Sequence, residues 1–140
     1  MKKLIFIIYL LLLMAIVSGC GKNYSKNPSQ PMKVVTGVDV TYQKGKSALR
    51  WQYTAQDKME AVLLYLRLLP RGGTAQVDPH RVAGDHYEIV LRYSNGDKRM
   101  YYQHADRYLS VDYKPWERID PKDGKELHRL LEIMPSDILQ

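Results

Sequence analysis

From Val34 to Gln43 the chain alternates, with Val34, Thr36, Val38, Val40 and Tyr42 on one side and Val35, Gly37, Asp39, Thr41 and Gln43 on the other. A period of two predicts a strand with one buried face. Lys44-Gly45 turns the chain, and Leu49, Trp51 and Tyr53 then alternate with Arg50 and Gln52. With a two-residue loop at Lys44-Gly45, Val40 should face Leu49 and Val38 should face Trp51. At Thr54 the period changes. Thr54 is the expected cap, Asp57 sits near the positive end of the dipole, and Met59, Val62, Leu63, Leu66 and Leu69 recur at helical spacing until Pro70. The pattern predicts a helix over about 55–69. Residues 71–84 follow as a long loop carrying Arg71, Asp78, His80 and Arg81, for which plain mobility is the expectation over function.

Two further alternating runs, 85–93 and 98–104, flank Ser94-Asn95-Gly96-Asp97. Asn-Gly between such runs is a strong hairpin signal. With Asn95-Gly96 as the loop, Leu91 pairs with Met100, Ile89 with Tyr102 and Tyr87 with His104 on an apolar face. Arg92 then opposes Arg99, Val90 opposes Tyr101 and Glu88 opposes Gln103 on the other face. Residues 107–111 read as a strand, 112–115 as a turn and 116–119 as a short returning strand. Asp120-Pro121 opens a second helix over about 122–134, with Asp120 as cap and proline at the first helical position. Leu127, Leu130, Leu131 and Met134 mark its buried stripe, and Pro135 stops it. The expectation is one α+β domain over 33–140, ordered ββα–βββ(β)α. It is a two-layer sandwich in which an antiparallel sheet of four to six strands carries both helices on one face.

The amino-terminal segment follows a different pattern. Lys2 and Lys3 precede a charge-free apolar run, Leu4 to Val17, and Ser18-Gly19 then lead to Cys20, the single cysteine. Basic, apolar and small-residue zones in that order predict a secretory signal over 1–19. The apolar run is short for a spanning helix, which needs about 20 residues. Val17-Ser18-Gly19-Cys20 resembles the lipobox of bacterial lipoproteins. The resemblance implies a diacylglycerol on the Cys20 thiol, cleavage before it, and a protein anchored in the cell membrane facing outside the cytoplasm. Residues 20–32, polar with two prolines, would form the lipidated terminus and a flexible linker. The arrangement downstream is loosely similar to small uncharacterised lipoproteins of Gram-positive bacteria, a likeness of pattern that carries no function.

Composition narrows the chemistry. With one cysteine there is no disulfide within the chain and no thiolate metal site. Loss of Lys2 and Lys3 lowers the formal charge from +6 to +4. In an exported protein that mild positive charge points to envelope polyanions or an envelope protein rather than nucleic acid. His80, His86, His104 and His128 form no helical metal motif, and in the register above His86 and His104 point to opposite faces. Asp106 and Asp112 have no evident acid–base partner. The reading is a monomer without cofactor beyond the lipid. The opposed arginines Arg92 and Arg99, with Tyr101 and nearby Arg50, are the candidate binding patch, because facing guanidiniums repel unless solvated or bound to an anion. Tyr101, Tyr108, Tyr113 and Trp116 are candidates for an exposed aromatic cluster, with a core role favoured for Trp116. The function read from this is a non-catalytic binding or accessory module at the envelope. The alternative is a sensor or binder of an anionic small ligand or envelope polyanion, and a small hydrolase is the least favoured.

Overall fold

The computed structural model describes residues 33–134; the expected signal over 1–19, Cys20, the expected linker and residues 135–140 lie outside the described residues. Six antiparallel strands form one sheet in the order β2-β1-β3-β4-β5-β6. They are β1 (Val35–Lys44), β2 (Ser47–Tyr53), β3 (His86–Tyr93), β4 (Lys98–His104), β5 (Tyr108–Val111) and β6 (Glu117–Arg118). Helices α1 (Gln56–Leu68) and α2 (Pro121–Ile133) cover one face, and the order is ββα–ββββα. The inner face supplies Val38, Val40, Tyr42, Tyr87, Ile89 and Leu91, and these meet Val62 and Leu66 of α1 and Leu127 and Leu131 of α2 in one core. This is the two-layer α+β arrangement that the hydrophobic periods specify.

Both hairpin registers differ from expectation, with unequal consequences. In the first, Lys44 pairs with Ser47, so Gly45-Lys46 is the loop and Gly45 takes φ +60°. Val40 therefore faces Trp51 and Val38 faces Tyr53. The slip is two residues, which leaves every side chain on its expected face. In the second, Arg92 pairs with Lys98, Leu91 with Arg99, Ile89 with Tyr101 and His86 with His104. The slip is one residue. The loop has three residues: Gly96 N donates to Tyr93 O, Tyr93 N donates to Asp97 O, and Gly96 adopts φ +86°. This is a turn followed by a left-handed glycine, which inserts one residue relative to a two-residue loop. The odd slip exchanges the faces of β4. Tyr101 and Gln103 enter the core, while Met100, Tyr102 and His104 face outward with Glu88, Val90 and Arg92.

The helix ends follow local chemistry. Asp120 caps α2 by accepting from Lys122 N at 2.8 Å, with Pro121 at the first helical position. For α1 the cap position is Ala55 rather than Thr54, and Met59 N bonds directly to Ala55 O. Residues 71–84, expected to be a mobile loop, are a strap along the sheet edge. Gly72 N donates to Arg118 O, Arg118 N to Gly73 O and Ala75 N to Trp116 O. The strap pairs with β6, which would otherwise be an open edge. It continues through a single 3-10 turn, Pro79–Arg81, to the outer face, where the rings of His80 and His104 meet.

Candidate functional site

The expected pairing of Arg92 with Arg99 does not form, because the one-residue slip puts them on opposite faces. Arg92 lies on the outer face. Its Nε stands 3.0 Å from Asp39 Oδ2, an ion pair without directed hydrogen-bond geometry, and its guanidinium packs over Gly37. Arg50 is exposed on the outer face of edge strand β2, beside a shallow hollow lined by Asp39, Thr41, Gln52 and Glu88. Tyr101 is a core residue and not part of an exposed aromatic cluster. Tyr113 is exposed, and Trp116 is half-buried against His80 rather than in the main core. Cys20 lies outside the described residues.

Arg99 and Tyr101 do share a site, on the inner face and with different companions. A cleft of about 450 Å³ opens where α1 ends and the strap begins, lined by Arg71, Thr74, Arg99, Tyr101, Lys114 and Glu117 among others. The volume is within the range of small-ligand sites. Each cation has a separate structural origin. Arg71 follows the end of α1, Arg99 is the inward residue at the open end of β4, and Lys114 closes the turn after β5, where Lys114 N donates to Val111 O. Arg71 pairs with Glu117 at 3.1 Å, and Arg99 Nε reaches Asp112 Oδ2 at 3.3 Å. Three cations thus face two carboxylates. Both pairs are substantially solvated, with the Arg99 side chain 48 % exposed and Arg71 39 %. Exposed pairs of this kind contribute at most about 1 kcal/mol. They hold the guanidiniums in place yet leave them exchangeable for an incoming anion. The backbone N–H of Met100 and the Arg99 guanidinium hold the Asp112 carboxyl below its ordinary range, so it stays ionised beside the cleft.

A second hollow, about 310 Å³, lies between the helices and is lined by Leu64, Leu68, Leu69 and Leu130. It is mainly apolar and its charged groups, Asp123 and Glu126, are acidic, so the cationic cleft is the better candidate for an anion. Beneath α2 lies a polar network. Tyr65 Oη donates to Gln103 Oε1 at 2.5 Å, Gln103 Nε2 donates to Gly124 O at 2.8 Å, and Tyr42 Oη donates to Asp85 Oδ2 at 2.7 Å. Burial is the main cause that pushes the Tyr42 hydroxyl up to about 12 and raises Tyr65 and Tyr87 further. These phenols remain protonated donors at neutral pH and serve to seat the helix.

On the outer face, the structure joins His86 and His104 as directly opposed residues, where the expected register separated them. His80 approaches from the strap. Burial, then the neighbouring His104 and His80, push His86 below the ordinary imidazole value. The spacing of Arg71 and Lys114 from the β3–β4 hairpin hid them from sequence reasoning. The cationic content of the 71–84 segment was a signal for Arg71, and none pointed to Lys114.

No protein family, no curated protein and no solved structure matches this chain.

Proposed function

We propose that the protein is an exported, lipid-anchored binding module of the cell envelope. In this reading its inner-face cleft takes an anionic group, such as a phosphate of an envelope polyanion or of a small ligand. The convergence of Arg71, Arg99 and Lys114 carries this reading. Guanidiniums recognise phosphate and carboxylate oxygens through paired donors, and Lys114 adds a point charge. The role is accessory and non-catalytic: the cleft groups suit holding an anion, and the membrane supplies the location. Anchoring through Cys20 explains a mature domain with little need for membrane affinity of its own, since two acyl chains suffice for stable attachment.

The test is titration of the full-length chain with inorganic tripolyphosphate at low and high salt. Binding should weaken steeply with salt. Arg99→Glu should reduce affinity by about tenfold or more, the cost of losing one charge-assisted contact. Arg92→Glu, on the opposite face, should leave it unchanged. Equal loss in both variants, or no binding by the wild type, refutes the cleft. Location is tested separately by Cys20→Ser, which should abolish lipid labelling and signal cleavage; normal processing of that variant refutes the anchor.

A further inference from the structure

The outer-face imidazoles have features that ring packing alone does not require. His86 and His104 are cross-strand partners on β3 and β4, with ring centroids 5.8 Å apart. His80 stands 6.2 Å from His104, on the 3-10 turn of the strap. Two imidazoles on one tetrahedral ion, with metal–nitrogen bonds of about 2.0–2.1 Å, place their centroids about 5–6 Å apart. His104 is therefore near ligand spacing from each of the other two rings.

The decisive detail is the tautomer of His104. Its Nε2 lies 2.7 Å from the carbonyl oxygen of Val82, and a carbonyl only accepts, so Nε2 carries the hydrogen. In the neutral ring the lone pair is then on Nδ1, which is buried and has no hydrogen-bond partner. A ring nitrogen donating to a backbone carbonyl while the other presents a free lone pair is how proteins orient a metal-ligating histidine. An acceptor buried without a donor is otherwise destabilising. Trp116 packs edge-on against His80 at 5.5 Å, and Tyr102 stacks on His86 at 6.1 Å, so aromatic rings flank the cluster.

We propose that His104, His86 and His80 form a binding site for a borderline transition cation of the Zn²⁺, Cu²⁺ or Ni²⁺ class. Among the described residues no group of three such donors is already arranged to hold an ion. The site closes by rotation of His80, which is exposed and sits on a one-turn segment, toward the fixed pair. Imidazole nitrogen without thiolate suits these cations and disfavours Mg²⁺ and Ca²⁺. The site lies on the face opposite the anion cleft, so it stands or falls independently of that proposal.

The experiment is titration of chelator-treated full-length chain with Zn²⁺, and with Cu²⁺ followed by electron paramagnetic resonance. About one equivalent should bind, and nitrogen hyperfine structure should report two to three imidazoles. His80→Ala, an exposed position, should weaken binding about tenfold. His86→Gln and His104→Gln should remove it, with folding checked by circular dichroism. His128→Ala, on the other side of the sheet, should bind as the wild type does. The proposal is overturned if no equivalent binds, or if binding survives unchanged in His80→Ala and His86→Gln.

Discussion

The two ends of the β3–β4–β5 array are built on opposite principles. At one end, the turn at Ala105-Asp106 lies under α2 and meets Gly84 of the strap so closely that added Cβ atoms have no room. At the other, the turns at 94–97 and 112–113 stand in solvent among Lys33, Asp97, Arg99, Asp112 and Lys114. The closed end spends its contacts on fixing a helix; the open end keeps its charges in weak, exchangeable pairs. Stability should reside at the first and anion binding at the second, which means each can be disturbed without the other.

The largest expected effect is at the closed end. Gly124 lies in the first half of α2, where alanine would normally stabilise a helix by about 1 kcal/mol. Here a Cβ would come within 2.1 Å of the Asp106 carbonyl oxygen and 2.8 Å of its Cα, both rigid backbone. The turn gives way poorly, because Ala105 and Asp106 already hold φ +52° and +54°. Pushing α2 outward also strains the Gln103–Gly124 hydrogen bond in the core. Overpacking therefore outweighs propensity, and Gly124→Ala should lose about 2 kcal/mol or more, roughly 10 °C in Tm. Thermal unfolding checks this, and an unchanged or raised Tm would show that the end is not closed. Tripolyphosphate affinity of the folded variant should stay at the wild-type level; a parallel fall would dissolve the distinction between the two ends.

The contrast also marks where sequence stops informing. Element order was legible because each segment keeps one period, and Asp120-Pro121 specifies a helix start by chemistry alone. The β1–β2 slip was harmless because it was even. The β3–β4 slip was not legible, because Met100, Tyr101 and Tyr102 are apolar or aromatic at both parities. Ser94-Asn95-Gly96-Asp97 accommodates loops of two or three residues, and only the left-handed Gly96 with the Tyr93–Asp97 bond selects three. That single residue separates Arg92 from Arg99, buries Tyr101 and brings His86 beside His104. Arg99 and Tyr101 line one cleft, but on the inner face and without Arg92, the partner expected for them. Arg71 and Lys114 reach the cleft through tertiary folding, which no local period encodes.

The smallest effect sharpens the open end. Asp112 holds φ +49° and accepts from Met100 N at 2.9 Å through Oδ1, while Oδ2 faces Arg99. Asp112→Asn preserves the shape, since asparagine tolerates the left-handed region and keeps the carbonyl acceptor. The charge is removed, and the position facing Arg99 Nε becomes an amide donor instead of an acceptor. The folded carboxyl titrates below its ordinary value near 3.8, first because of the Met100 N–H. Its contribution is therefore complete above that value and is lost as pH falls through the lower folded one. Wild type should exceed the variant by no more than about 0.5 kcal/mol near pH 7, given the solvation of the pair. That margin should shrink in denaturant titrations as pH is lowered progressively below 3.8. Over the same substitution tripolyphosphate should bind a few-fold tighter at about pH 7, because Arg99 loses its competing carboxylate. A stability margin that persists in acid, or weaker anion binding, would mean that Asp112 braces the turn rather than restraining a ligand-binding arginine.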